Sequence, residues 1–139
     1  MRRQKGFILL YVLFFAAAAI ILAAASGRLI VLNIRMVRSQ LDGARAFYAA
    51  ESGIEWAKAK LASDPGWYTD LPHSPVDDIG WLTGSSVGYN GRVGGSPFKV
   101  VREEGKGRLY SVGRSGSGMF IVRMDFSSLP FTQKSWEVL

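Results

Sequence analysis

The chain has 139 residues, 48% of them hydrophobic, a formal net charge of +6 at neutral pH and no cysteine. Without cysteine the fold has no disulfide and must hold by packing alone. The single histidine, His73, has neither a cysteine nor a second histidine with which to share a metal. This composition excludes the commonest metal sites.

The chain opens with Met-Arg-Arg-Gln-Lys-Gly and then runs from Phe7 to Ala25 without a charged side chain. In a helix, a segment of this length reaches about 28 Å, close to the hydrocarbon thickness of a bilayer. The basic residues before Phe7 favour a cytoplasmic N-terminus through the positive-inside bias. We therefore predict one transmembrane segment over residues 7–25, with the rest of the chain outside the cytoplasm.

Two other interpretations of this segment stay open. A cleaved secretory signal has the same basic start and apolar stretch, and residues 23–26 would provide its small-residue cut site. A plain single-span anchor has the same composition. One observation opposes the secretory-signal interpretation: apolar or small residues continue beyond residue 25 at helical spacings of three and four. They are Ile30, Ile34, Val37, Leu41, Ala44, Phe47, Ala50, Ile54, Ala57 and Leu61.

This periodicity predicts a single helix over residues 7–62, with a transmembrane half and an amphipathic half. Asp64-Pro65-Gly66 should end it, because proline disfavours the helical conformation of the preceding residue. Residues 63–139 then form a small head. Residues 64–97, rich in Gly, Pro, Ser and Asp, are predicted to be a long loop.

From Pro97 onwards the period becomes two and predicts three strands, Phe98–Arg102, Arg108–Val112 and Met119–Phe126. Glycine-rich turns separate them, so the strands should form an antiparallel β-meander. Such a sheet buries one face and leaves the other in water, and only the C-terminal half of the long helix can cover the buried face. The predicted fold class is α+β.

Two motifs carry a resemblance to a known family. Lys5-Gly6-Phe7, followed at once by Ile8-Leu9-Leu10, resembles the leader and cleavage junction of the type IV pilin superfamily. The run Ala46-Phe47-Tyr48-Ala49-Ala50-Glu51-Ser52-Gly53-Ile54-Glu55 is similar to the second signature of PilX-type minor pilins and K-type minor pseudopilins. The signature positions we single out are Ala46, Phe47, Tyr48, Ala50, Glu51 and Gly53. The resemblance covers residues 1–62 and implies a pilin-like fold.

The resemblance also implies processing and partners. A membrane prepilin peptidase would remove residues 1–6 as a leader by cutting after Gly6, and would methylate Phe7. Loss of Arg2, Arg3 and Lys5 lowers the formal charge from +6 to +3. The mature subunit would sit in the inner membrane, meet an assembly platform there, and join other pilin or pseudopilin subunits in a filament.

Tyr11 stands at the fifth mature position, where most members of the family have a glutamate. The resemblance implies that this glutamate pairs with the N-terminal ammonium of a neighbouring subunit. A neutral phenol cannot form that ion pair, which suits a subunit with nothing ahead of it, one that starts or caps the filament. The other interpretation is that Tyr11 is an interfacial aromatic residue.

The head offers one alternative function. Residues 92–123 contain seven cationic residues against two glutamates, and such a strand face could meet DNA phosphates or an anionic cell surface. Solvated basic strands are more common, since they prevent edge pairing. The seven residues are Arg92, Lys99, Arg102, Lys106, Arg108, Arg114 and Arg123.

No residues in the chain form a catalytic pattern, and we expect neither an enzyme nor a cofactor. No nucleophile-elbow sequence surrounds any serine. Four loop aspartates could gather around calcium, but their spacing matches no EF-hand, and we interpret them as solvated carboxylates. They are Asp64, Asp70, Asp77 and Asp78.

Overall fold

A computed structural model of the protein describes residues 3–73, 78–84, 87–127 and 132–139, with the side chains of residues 3–6 and 132–134 left aside. Helix α1 (Arg3–Ser63) comes first and a short helix α2 (Ile79–Thr83) follows. Five strands complete the fold: β1 (Tyr89–Val93), β2 (Ser96–Val101), β3 (Arg108–Ser115), β4 (Gly118–Ser127) and β5 (Thr132–Val138). The predicted α+β class, with one long N-terminal helix and an antiparallel sheet, is confirmed.

The chain divides into two compact units at Arg38. The first is the part of α1 up to Arg38, and none of its residues from 7 to 38 is buried. The second unit, Ser39–Leu139, holds the rest of α1, α2 and the sheet. The predicted helix over residues 7–62 is therefore found, with its ends at Arg3 and Ser63.

The five strands form one sheet in the order β1-β2-β3-β4-β5, and every neighbouring pair is antiparallel. The β1–β2 turn is Gly94-Gly95, and both glycines have positive φ, as a two-residue hairpin turn requires. The predicted meander is thus present, with its turns at the glycine-rich runs.

Both faces of the sheet are covered. On one face, the C-terminal half of α1 forms the main core with the inward side chains of β2, β3 and β4, among them Val100, Leu109, Val122 and Met124. On the other face, a second core forms around α2. It contains Leu82, Val87, Val101, Tyr110, Val112 and Ile121. The expectation that only α1 covers the sheet, leaving its other face wet, was wrong.

The predicted loop over residues 64–97 also needs correction, since it contains α2, β1 and the start of β2. Helix α2 has five residues and no period to detect; it depends on Asp78, whose side chain accepts a hydrogen bond from the Trp81 amide at 3.1 Å. Strand β1 includes Asn90 and Gly91, which are poor strand formers. Its glycine is nonetheless required, because a Cβ there would lie 2.3 Å from the ring of Phe98.

Candidate functional site

The predicted cleavage junction lies inside α1. The helix begins at Arg3, so the Gly6–Phe7 peptide bond has helical backbone on both sides. The Phe7 ring is exposed and contacts the Tyr11 ring edge-on, with centroids 5.2 Å apart. The two aromatic rings lie on one face of the helix because residues four apart are neighbours there.

A surface of exposed apolar side chains follows the junction along α1. Helix α1 is long and apolar enough to cross a membrane by length and composition, and its most apolar stretch is not buried at all. A signal sequence near an N-terminus meets the same criteria, whereas the core helix of a soluble domain would be buried. The exposed side chains include Leu9, Phe14, Ile21, Leu29, Leu32 and Val37.

The helix does not break at Ser26-Gly27, the pair that most weakens it by propensity. The Ser26 hydroxyl donates to the Leu22 carbonyl at 2.9 Å, which satisfies it within the helix. A shallow groove of about 460 Å³ runs along this part of α1. Ala24, Gly27, Arg28, Val31, Leu32 and Arg35 line it, so small residues and two cations face the same side.

The second signature has a structural role in the head. Its small residues Ala46, Ala50 and Gly53 are buried against the sheet. A Cβ on Gly53 would lie 2.2 Å from the Ser111 Oγ, and one on Gly113 of β3 would lie 1.9 Å from the Ala46 carbonyl oxygen. Gly113 meets the backbone of α1 and Gly53 meets side chains of the sheet, so neither glycine has room for a side chain.

The larger residues of the signature point in different directions. Phe47 is half-buried and its ring contacts those of Phe120 and Trp136, with centroids 5.9 and 6.0 Å away. Tyr48 is 64% exposed, and Glu51 is half-buried. Phe47 is therefore an anchor to the sheet, whereas Tyr48 remains available on the surface.

Arg102 does not belong to a basic surface. It is buried, and its guanidinium donates to the carbonyls of Pro65 and Trp67 and lies 5.3 Å from the Phe126 ring centroid. Burial lowers the pKa of Arg102. Its backbone also bonds Thr69 in both directions, so this arginine anchors the segment that follows α1.

Five of the other six cations lie on one face of the sheet, the face away from α1, according to strand alternation and register. They are Arg92, Lys99, Arg108, Arg114 and Arg123. Lys106 lies in the β2–β3 turn. Arg108 pairs with Asp125 at 2.8 Å, and this hydrogen bond raises the pKa of Arg108; Arg123 pairs with Glu137. Of the seven predicted cations, one is therefore buried, one lies in a turn and two are paired with carboxylates. Arg92, Lys99 and Arg114 remain.

The loop aspartates act separately in the part of the chain that the structure describes. Asp64 accepts from the Gly66 amide, and Asp78 caps α2; the hydrogen bond from Trp81 lowers the pKa of Asp78. Asp77 lies outside the described residues. His73 stacks on Trp81, with centroids 4.5 Å apart. Among the described residues, no three potential ligands could hold a metal ion.

Sequence reasoning missed Glu103, a carboxylate that is almost fully buried. One of its carboxylate oxygens accepts a hydrogen bond from the His73 backbone amide. Its backbone also forms an isolated parallel β-bridge with Asp70. Nothing in the sequence distinguishes it from the exposed Glu104 beside it, because both follow the end of a strand.

Comparison with known proteins identified no relative. No protein-family model matches the chain, and neither a curated protein nor a solved structure matches it. Any assignment of function therefore rests on the residues and their geometry.

Proposed function

We propose that the chain is a minor pilin or pseudopilin, a structural subunit that starts or caps a type IV pilus or a type II secretion pseudopilus. The observation that carries this proposal is the unburied helix over residues 7–38, continued by a helical segment that packs on a small sheet. An apolar surface of this extent needs lipid or neighbouring helices to cover it. In a filament subunit, lipid covers this surface before assembly and neighbouring helices cover it afterwards.

Processing follows from the junction. The prepilin peptidase would cut between Gly6 and Phe7 on the cytoplasmic side of the inner membrane and methylate Phe7. The hydrophobic run begins at the residue after the cut, so removal of residues 1–6 takes away only the charged flank. The mature helix stays in the bilayer until the assembly platform adds the subunit to its partners.

The first experiment is intact-mass and N-terminal analysis of the membrane-extracted protein. The expected mature chain starts at Phe7 and carries one methyl group. Gly6→Leu should block processing without preventing insertion, because the apolar span is unchanged. Gly27→Leu is the matched control, since space is open around Gly27, and it should be processed normally. A mature chain starting at Ser26 would show a secretory signal instead and refute the assignment.

A tip position explains the residue at the fifth mature position. Tyr11 lacks the carboxylate that would register this subunit behind another, and its ring rests against Phe7. Gold labelling of an epitope on the head should mark one end of each filament. Tyr11→Glu should spread the label along the shaft, because a glutamate is tolerated in the bilayer when protonated or paired; Tyr11→Phe should leave it at the end. Uniform labelling of native filaments would contradict the tip role.

A further inference from the structure

A cleft on the sheet face away from α1 joins Lys99 and Arg114, two of the three cations of that face that pair with no carboxylate among the described residues. It has a volume of about 280 Å³ and lies between the end of α2 and strands β1, β2 and β3. Its lining residues are Thr83, Asn90, Pro97, Phe98, Lys99, Val112 and Arg114. None of them is acidic, so the cleft has two positive charges and no negative one.

The partners of the two cations are carbonyl groups. The Lys99 ammonium donates to the Gly84 carbonyl, and the Arg114 guanidinium donates to the Thr83 carbonyl at 3.1 Å. Within the described residues these are their only hydrogen bonds, which leaves two donors on Lys99 and four on Arg114. By contrast, Arg108 and Arg123 on the same face each bond a carboxylate.

The electrostatic environment agrees with this difference. Burial lowers the pKa of Lys99, and the positive charge of Arg114 lowers it further, while the negative charge of Asp70 opposes the shift. Two cations held this way raise the free energy of the empty cleft, and a bound anion would lower it.

We propose that this cleft binds a phosphate group, as free phosphate or a phosphomonoester, between Lys99 and Arg114. Arginine presents a planar fork of donors to the oxygens of a phosphate, and lysine adds a compact charge. The Asn90 amide can donate a further hydrogen bond from β1. Pro97 and Val112 form an apolar wall beside the two cations, and lower local polarity strengthens such contacts.

The test is a titration of the full-length protein in detergent micelles with inorganic phosphate at low ionic strength, followed by calorimetry. Saturable binding of one phosphate per chain is expected. Arg114→Gln and Lys99→Gln should each weaken it at least tenfold, and Arg114→Lys should restore part of the loss. Arg92→Gln removes the same charge from an exposed position on the same face and should change the affinity less than twofold.

Two further measurements are needed. One distinguishes lost binding from lost folding, and the other distinguishes a cleft from an extended binding face. Arg114 is exposed, so its variants should keep the native circular dichroism spectrum and thermal midpoint. Non-saturable binding, or equal weakening by Arg92→Gln and Arg114→Gln, would overturn the cleft. Tight binding of duplex DNA that Arg92→Gln and Arg114→Gln weaken equally would also overturn the cleft. Such a result would indicate a broad surface that binds the DNA phosphate backbone. The outcome does not depend on filament assembly, which the micelle prevents.

Discussion

Helix α1 uses small and apolar residues in two different ways on either side of Arg38. Before it, no described atom lies within 4 Å of a Cβ placed on Gly27, and the large apolar side chains along this part are exposed. After it, Ala46, Ala50 and Gly53 are buried; the first two meet Gly113 of β3 at backbone distance, and Gly53 meets the Ser111 side chain. Both parts contain small residues, but among the described residues only those of the second part are buried.

The difference shows what a small residue in a long helix can be for. In the second part, the missing side chain of Gly53 is explained by the Ser111 Oγ, which would collide with a Cβ there. In the first part, no described atom lies within 4 Å of a Cβ placed on Gly27, so lipid or other helices can approach closely there. Three pairs of substitutions test this difference; the first two compare the two parts of α1, and the third compares two neighbouring residues within the second part.

The largest effect should come from Gly113→Ala, at the contact between β3 and α1. The added methyl group would collide with the Ala46 carbonyl oxygen and the Ala50 amide, which are backbone atoms and cannot rotate away. We expect the free energy of unfolding to fall by about 3.5 kcal/mol, above the usual cost of overpacking. Urea unfolding in micelles, followed by tryptophan fluorescence, measures it, since all four tryptophans lie after Arg38.

Gly27→Ala is the control for this substitution. Nothing lies within 4 Å of a Cβ at that position, and alanine favours a helix over glycine by about 1 kcal/mol. The fluorescence transition should not move. Equal destabilisation by both changes would mean that the two parts of α1 are packed alike.

The second-largest effect should come from a charge placed in the middle of the apolar segment, and it should be on membrane insertion. Ala16→Arg is expected to make membrane insertion less favourable by about 3 kcal/mol, the cost of arginine at the centre of a spanning helix. Ala44→Arg, on an exposed position of the second part, should leave insertion unchanged. Carbonate extraction of membranes from expressing cells would compare them, and equal retention of both variants would argue against a spanning first part.

The smallest expected effect is a difference in the free energy of unfolding between substitutions at two neighbouring residues of the signature. Phe47→Ala removes two edge-on ring contacts and part of a half-buried side chain, and should lower the free energy of unfolding by about 1.5 kcal/mol. Tyr48→Ala, at a position 64% exposed, should change it by less than about 0.5 kcal/mol. If Tyr48 contacts another subunit, its loss should instead reduce filament number. Comparable loss of stability in both variants would remove this distinction.

The sequence predicted the helix and the three central strands because each has a clear period over several residues. It missed α2, β1 and β5, whose residues become ordered only through partners: Asp78 caps five residues, and Gly91 fits under the Phe98 ring. It also placed Arg102 on the surface, although three protein carbonyls surround its guanidinium. Charge in a sequence does not reveal whether its counterpart is water, a carboxylate or a buried carbonyl.

The start of α1 at Arg3 has a consequence for the proposed cleavage after Gly6. Proteases act on extended backbone, so the helix must unwind past Phe7 before the bond after Gly6 can be cut. The first four amides of any helix lack carbonyl partners within it, and helix ends open at almost no free-energy cost. Glycine lowers that cost further. In the proposed pilin, a peptidase would therefore wait only for a helix end to fray, while the rest of α1 stays wound.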